Sequence, residues 1–247
     1  RTRMEERYLL TSGASAGLAA AFNAPLAGVI FALEELHRNF SIMVLLPSMA
    51  AAFTATIISR AIFGRATIFD IPDLQLLPIG YYGIVILVAL ASGLAGVIFN
   101  WGLLNIGRFY SLPCFKRPVE KIAFALICAG ILGYFLPEVL GGGNELINHL
   151  AKAPVSLQLL LLFLAGKLIF TLISYGCGVP GGFFLPMLVI GALCGSICAQ
   201  ILIMLGWIEP AYATNIMVVA MAALFASSVR APITGTVLIM EMTASYQ

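Results

Sequence analysis

Residues 178–186 read GVPGGFFLP, with three glycines and two prolines in nine positions between two long apolar stretches. Glycine and proline are poor helix formers, and a break inside a membrane frees backbone N–H and C=O groups that lipid cannot satisfy. The chemistry on offer here is therefore that of the backbone. If Phe183 and Phe184 open a new helix, Pro186 falls in its first turn, where a missing N–H is tolerated. The first N–H groups of that helix have no internal partner, and the positive end of its dipole lies there. A dehydrated anion can take those donors without meeting a full positive charge that would hold it too tightly to pass on. A hinge packed against a neighbouring helix is the competing reading of the same residues.

Two further groups could move charge. Glu34 and Glu35 close an apolar stretch, where a carboxylate is costly to keep and can take up and release protons. The alternative is a solvated pair with Arg38 as counter-charge. Tyr246 ends the segment EMTASY. Its phenol can donate one hydrogen bond to an anion, or it can sit in an interfacial aromatic belt. Lys167 lies in an apolar stretch eleven residues before Gly178. It can add positive potential near an anion path or extend its stem to an interface.

Other chemistries find little support. Glu34-x-x-His37 has the spacing of half a carboxylate-bridged dimetal site, but the only other histidine, His149, follows no glutamate at that spacing. No HExxH string occurs. Cys194 and Cys198 share a helix face without further Cys or His ligands nearby, so no metal site is expected. These thiols read as small packing residues. An enzyme is therefore not expected, and neither is a cofactor.

The elements that hold these residues are set by composition. Hydrophobic residues make up 61% of the 247 and charged residues 10%, with a mean hydropathy of +1.04. Water-soluble domains carry about 25% charged residues, so the chain reads as a multi-pass, all-α integral membrane protein. The net charge of +2 gives no basic footprint for nucleic acid. Apolar stretches run over 9–33, 41–63, 79–106, 122–136, 156–175, 183–206 and 212–242. Internal prolines such as Pro25 and Pro232 predict pairs of short, broken helices in several of them. Arg108, Lys116, Arg117 and Lys121 cluster around one loop and mark it as cytoplasmic. By alternation 36–41 is cytoplasmic as well, and 64–78 and 137–155 lie outside.

The chain also repeats itself. Residues 16–34 read AGLAAAFNAPLAGVIFALE and residues 223–241 read ALFASSVRAPITGTVLIME. At an offset of 207, Ala24-Pro25 meets Ala231-Pro232, Gly28 meets Gly235 and Glu34 meets Glu241. Each copy is a small-residue helix, a polar break at Asn23 or Arg230, Ala-Pro, a second apolar helix and a carboxylate. Repeats with broken helices mark secondary transporters, whose sites lie between the repeats near the midplane.

Three segments, GLAAAFNAPLAGVIFALEE (17–35), GVPGGFFLP (178–186) and RAPITGTVLIMEMTASYQ (230–247), resemble the CLC family of chloride channels and proton-coupled chloride transporters. GGGN at 141–144 is similar to a glycine-rich loop that precedes the second segment in that family. The resemblance spans residues 1–247 and implies part of a CLC-type transmembrane domain with an inverted repeat, its related segments being 16–35 and 223–242. It implies an anion site built from the amides of Phe183 and Phe184, the loop glycines Gly181 and Gly182, and the Tyr246 hydroxyl. It implies that Glu35 transfers protons and that Glu34 shapes their entry. Channel members usually lack an acid at the position of Glu35, so a chloride/proton antiporter is expected; a passive, voltage-gated chloride channel is the alternative. The ligands implied are chloride, as bound substrate, and protons. A homodimer in a bacterial inner or plasma membrane is implied too. The family's Gly-Ser-Gly-Ile-Pro-like and Gly-Arg-Glu-Gly-Pro segments do not occur here. The sequence is thus expected to be a fragment without the N-terminal helices and the last membrane helix.

Overall fold

The computed structural model describes residues 3–64, 68–69, 71 and 74–243. Ten α-helices and no strands occur among them: α1 Arg3–Phe22, α2 Pro25–Phe31, α3 Ile42–Phe63, α4 Tyr82–Phe109, α5 Pro118–Phe135, α6 Asn144–Lys152, α7 Leu157–Gly176, α8 Phe184–Met204, α9 Ala213–Val229 and α10 Pro232–Thr243. Six of the described segments are long and apolar enough to cross a membrane: α3, α4 with the short turn before it, α5, α7, α8, and α9 with the turn before it. The chain is a multi-pass membrane protein. Two of the apolar stretches break, at Asn23-Ala24 and at Arg230-Ala231. The others run on as single helices, and α3 carries Pro47 in its interior without interruption.

The two breaks share one device. Asn23 and Arg230 both adopt a left-handed backbone, with φ of 51° and 62°. A residue in that conformation ends a helix, and the proline two positions on starts the next one with its φ already set. Ala-Pro after a polar residue is thus a stop followed by a start.

The chain divides into two compact units, residues 1–73 with 229–247, and residues 74–228. In the first, α1 lies along α2 and α3. Its sequence is rich in Ala, Gly and Ser, so backbones approach closely. Ser15 donates to the Ser48 carbonyl across α1 and α3 at 3.4 Å. A Cβ on Gly28 would sit 2.7 Å from the Ser15 carbonyl oxygen. Ala19, Val29, Leu33, Val44 and Ala52 form the small core between these helices. α2 continues as a π-helical turn, Ala32–His37, which ends at Arg38 in a left-handed conformation.

In the second unit α8 is the central element. Of its most apolar window 61% is buried, against 22% for α7 and 6% for α5, whose faces are left for lipid. Two glycines one turn apart, Gly191 and Gly195, let α9 come close. A Cβ on Gly195 would lie 2.6 Å from the Met217 Cα and 2.7 Å from the Ala220 Cβ. Below this contact Val88, Ala199, Leu202, Ile208, Ile216 and Ala220 pack together. A second cluster joins α4, α5 and α7 around Tyr110, whose hydroxyl donates to the Ile173 carbonyl at 2.8 Å.

Gly195→Val forces that helix pair apart. The expected loss is about 3 kcal/mol, or roughly 6–12 °C in the Tm of a chain of this size. Gly93→Ala is the control, because its Cβ meets nothing within 4 Å. Thermal unfolding in detergent compares the two, and equal Tm values would refute the close contact.

Candidate functional site

The break at 178–183 delivers what its composition predicts. Gly178 has a φ of 85°, which only glycine adopts freely, and the chain stays irregular until α8 starts at Phe184. Phe183 is the N-cap, and its carbonyl accepts from Met187 at 3.0 Å to close the first turn. Pro186 is the third residue of the helix, where no intrahelical donor is lost. Both phenylalanine rings are held from the side. Phe183 packs edge-on to Tyr175 at 5.5 Å and Phe184 edge-on to Phe225 at 5.1 Å. The rings thus fix the backbone, while the donors at the start of a 21-residue helix carry the positive end of its dipole.

Gly181, Gly182, Phe183 and Pro186 line a cavity of about 350 Å³. Its far wall is α7, through Lys167, Phe170, Thr171, Ser174 and Tyr175, and its rim includes Gly141. A helix start, residues that bear hydroxyls and a lysine line this common space, an environment suited to an anion. The glycine loop 141–143 belongs to this arrangement. Gly141 and Gly143 have φ of 63° and 88°. A Cβ on Gly142 would meet Leu185 Cδ2 at 2.5 Å, and one on Gly143 would meet Val189 Cγ2 at 2.6 Å. The loop therefore lies directly against the first turns of α8, and only glycines allow it. Of the two sequence readings of Lys167, extension to an interface is not what occurs. Lys167 is 1% exposed, and its ammonium donates to the carbonyls of Val139 at 2.9 Å and Gly141 at 2.8 Å.

The acidic residues lie in the other unit. Glu34 Oε1 accepts from the Ile233 amide at 3.2 Å, and Oε2 accepts from the Thr234 amide at 2.7 Å and its hydroxyl at 2.8 Å. Glu241 does the same for the other helix, accepting from the amides of Leu26 at 3.1 Å and Ala27 at 2.8 Å. Each carboxylate thus caps the N-terminus of the helix that bears the other. That reciprocity requires α2 and α10 to run antiparallel, with each acid at a positive helix end. The repeat register held the signal, since each glutamate stands nine residues after its proline. The match is legible in the sequence; that the two residues serve each other's helices is not. Glu35, one residue on, is not part of this clasp. It meets Arg38 Nη2 at 3.4 Å, and its side chain is 27% exposed.

The structure brings Phe183, Phe184, Gly181 and Gly182 together with Lys167 in one unit, and Glu34 and Glu35 with Arg38 and α10 in the other. Tyr246 lies outside the described residues. The string GASAG at 13–17 has the GxSxG spacing of a nucleophile elbow. It sits inside helix α1, with Ser15 fully buried and bonded to Ser48, not on a strand-to-helix turn. His149, expected in an outer loop, lies exposed on the short helix α6.

Comparison with known proteins bears on both halves. The chain is 37% identical over 247 residues to an H(+)/Cl(-) exchange transporter ClcA of Vibrio vulnificus (strain YJ016), covering 96% of this chain and 52% of that protein. It is 37% identical over 258 residues to the ClcA exchanger of Salmonella agona (strain SL483), covering 100% of this chain and 53% of that one. The chain thus spans about half the length of the curated relatives it matches. Among solved structures, a slow cyanobacterial Cl-/H+ antiporter superposes with a TM-score of 0.87 at 30% identity, over 99% of this chain and 58% of the other. A CLC-type fluoride/proton antiporter gives 0.81 at 25% identity, over 100% and 60%. The model of the voltage gated chloride channel family matches residues 1–247, the whole of this sequence, and the chain belongs to that family.

Proposed function

We propose that the protein exchanges chloride for protons across a cell membrane, as a secondary active antiporter. The observation that carries this reading is the start of α8, where a glycine break, a helix N-terminus and a cavity of about 350 Å³ meet. The amides of Phe183 and Phe184 hold the anion, and Gly181 and Gly182 let the backbone turn toward it. Backbone donors suit transport because they attract an anion with partial charges only, so it can leave again. Glu35 takes and releases the proton, with Arg38 as its resting partner at 3.4 Å. The relatives support an exchanger over a passive channel, since the two ClcA proteins and the two solved structures are all proton-coupled antiporters. A homodimer is the assembly this reading implies.

Bromide replaces chloride and scatters anomalously, so a soaked crystal tests the site. The expected result is a bromide peak within hydrogen-bond reach of the Phe183 and Phe184 amides. Peaks elsewhere with none at this junction would overturn the assignment. Phe183→Leu should bind bromide as before, because the backbone donor survives the substitution.

A further inference from the structure

Arg108, Lys116, Arg117 and Lys121 stand where α4 turns into α5, so four of the chain's 13 lysines and arginines fall within residues 108–121. Arg108, Lys116 and Arg117 are exposed, and Lys121 is half-buried. The one ion pair found among the described residues joins Arg38 to Glu35, so no described carboxylate pairs with any of the four. Glu120, the only acid of this corner, accepts from the Arg117 amide at 3.0 Å. The cations sit on a firm base. Tyr110 is 2% exposed and its hydroxyl is tied to α7. Its ring lies 5.0 Å from that of Phe115, which in turn lies 5.3 Å from Phe124 of α5. Lys121 Nζ stands 6.0 Å from the centre of the Tyr110 ring. The amides of Ser111 and Phe115 donate back to the carbonyls of Arg108 and Leu112 and close the loop in tight turns.

α5 leaves this corner with almost none of its surface covered, 6% of its most apolar window being buried. Val119, Ala123, Leu126, Ile127, Gly130 and Ile131 are all exposed and recur at helical spacing, so they form one apolar face that begins beside the basic residues. Ala123 and Gly130 make this face shallow between the larger side chains, and a Cβ on Gly130 would meet nothing within 4 Å. We propose that the α4–α5 corner holds the headgroup of an acidic phospholipid of the cytoplasmic leaflet, with its acyl chains laid along the open face of α5. Four basic residues directly at the cytoplasmic end of a span are the pattern that attracts anionic headgroups, and the positive end of the α5 dipole adds to them. Charge complementarity selects the lipid. A headgroup with net negative charge satisfies the unpaired cations, whereas a zwitterionic one brings a cation of its own. Because the aromatic cluster and the turns hold the loop in place, the site is formed before the lipid arrives. Neither the anion junction at α8 nor the proton path enters into it.

Native mass spectrometry of the full-length protein in detergent tests this, with phosphatidylglycerol and phosphatidylcholine of the same acyl chains titrated separately. The wild type is expected to bind phosphatidylglycerol roughly tenfold or more tightly than phosphatidylcholine. Each of Lys116→Gln, Arg117→Gln and Lys121→Gln should weaken phosphatidylglycerol about fivefold, and the three together roughly a hundredfold, with phosphatidylcholine unchanged. Lys152→Gln is the control, an exposed basic residue of the stretch 137–155 that is expected on the outer side, and it should bind as the wild type does. If the triple variant does not fold, the three single variants against Lys152→Gln give the same contrast. A wild type with no preference between the two lipids overturns the proposal, and is the outcome if a second copy or another protein segment covers the face of α5. Wild-type affinity for phosphatidylglycerol in the triple variant overturns it too. Equal weakening in Lys152→Gln and the single variants would assign the binding to net charge and not to this corner, and so overturns it as well.

Discussion

Glu35→Gln is expected to stop coupled proton movement while chloride continues to flow. The amide keeps the size of the side chain and its capacity for hydrogen bonds, but it cannot ionise. Glu35 stands outside the carboxylate clasp, in the π-helical turn after α2, with Arg38 as its partner. Its neutralisation therefore leaves the bonds between α2 and α10 intact, and the residues proposed to hold the anion at α8 do not include it. The expected loss in proton flux per chloride is about a hundredfold or more, on the scale of removing a proton-transfer group. Proteoliposomes read for chloride efflux and pH together give both numbers. A mutant that still moves protons at the wild-type ratio removes Glu35 from the pathway.

Glu241→Ala loosens α2. The amides of Leu26 and Ala27 lose both acceptors, one in an exposed and one in a partly buried bond. Hydrogen bonds to a charged acceptor contribute about 1.5–3 kcal/mol each, so we expect a loss of about 3 kcal/mol after relaxation. Glu34→Ala should cost a similar amount by releasing Ile233 and Thr234. Glu241→Gln keeps one carbonyl acceptor and should lose about half as much. Thermal unfolding in detergent ranks the three. An alanine variant that melts with the wild type would show that the clasp adds nothing to stability.

The sequence made the breaks legible because a stop and a start have residue signatures. Asn23 and Arg230 before Ala-Pro mark helix ends, and GVPGG before FFLP marks another. Long apolar runs made α3 to α5 and α7 to α9 legible for the same reason. The caps were not, because they join residues some 200 positions apart, and a carboxylate after an apolar run reads equally as a solvated end. The internal glutamate match held the clue, but only the antiparallel packing of α2 and α10 turns a match into a mutual cap. Lys167 was visible as an oddity, and its partners were not, since both are backbone carbonyls of a loop whose path depends on Gly141 and Gly143. The π-helical turn at Ala32–His37 has no composition of its own, and the GxSxG string at 13–17 shows how spacing without the right element misleads.

On the proposed function, anion and proton movement are coupled. The most direct test of that coupling is the full-length protein in liposomes with a chloride gradient and no initial pH difference. Chloride running down its gradient should drive protons the opposite way, against the pH difference that builds up, and an uncoupler should abolish that difference. Chloride flux with no movement of protons would contradict the account and leave a passive chloride channel in its place.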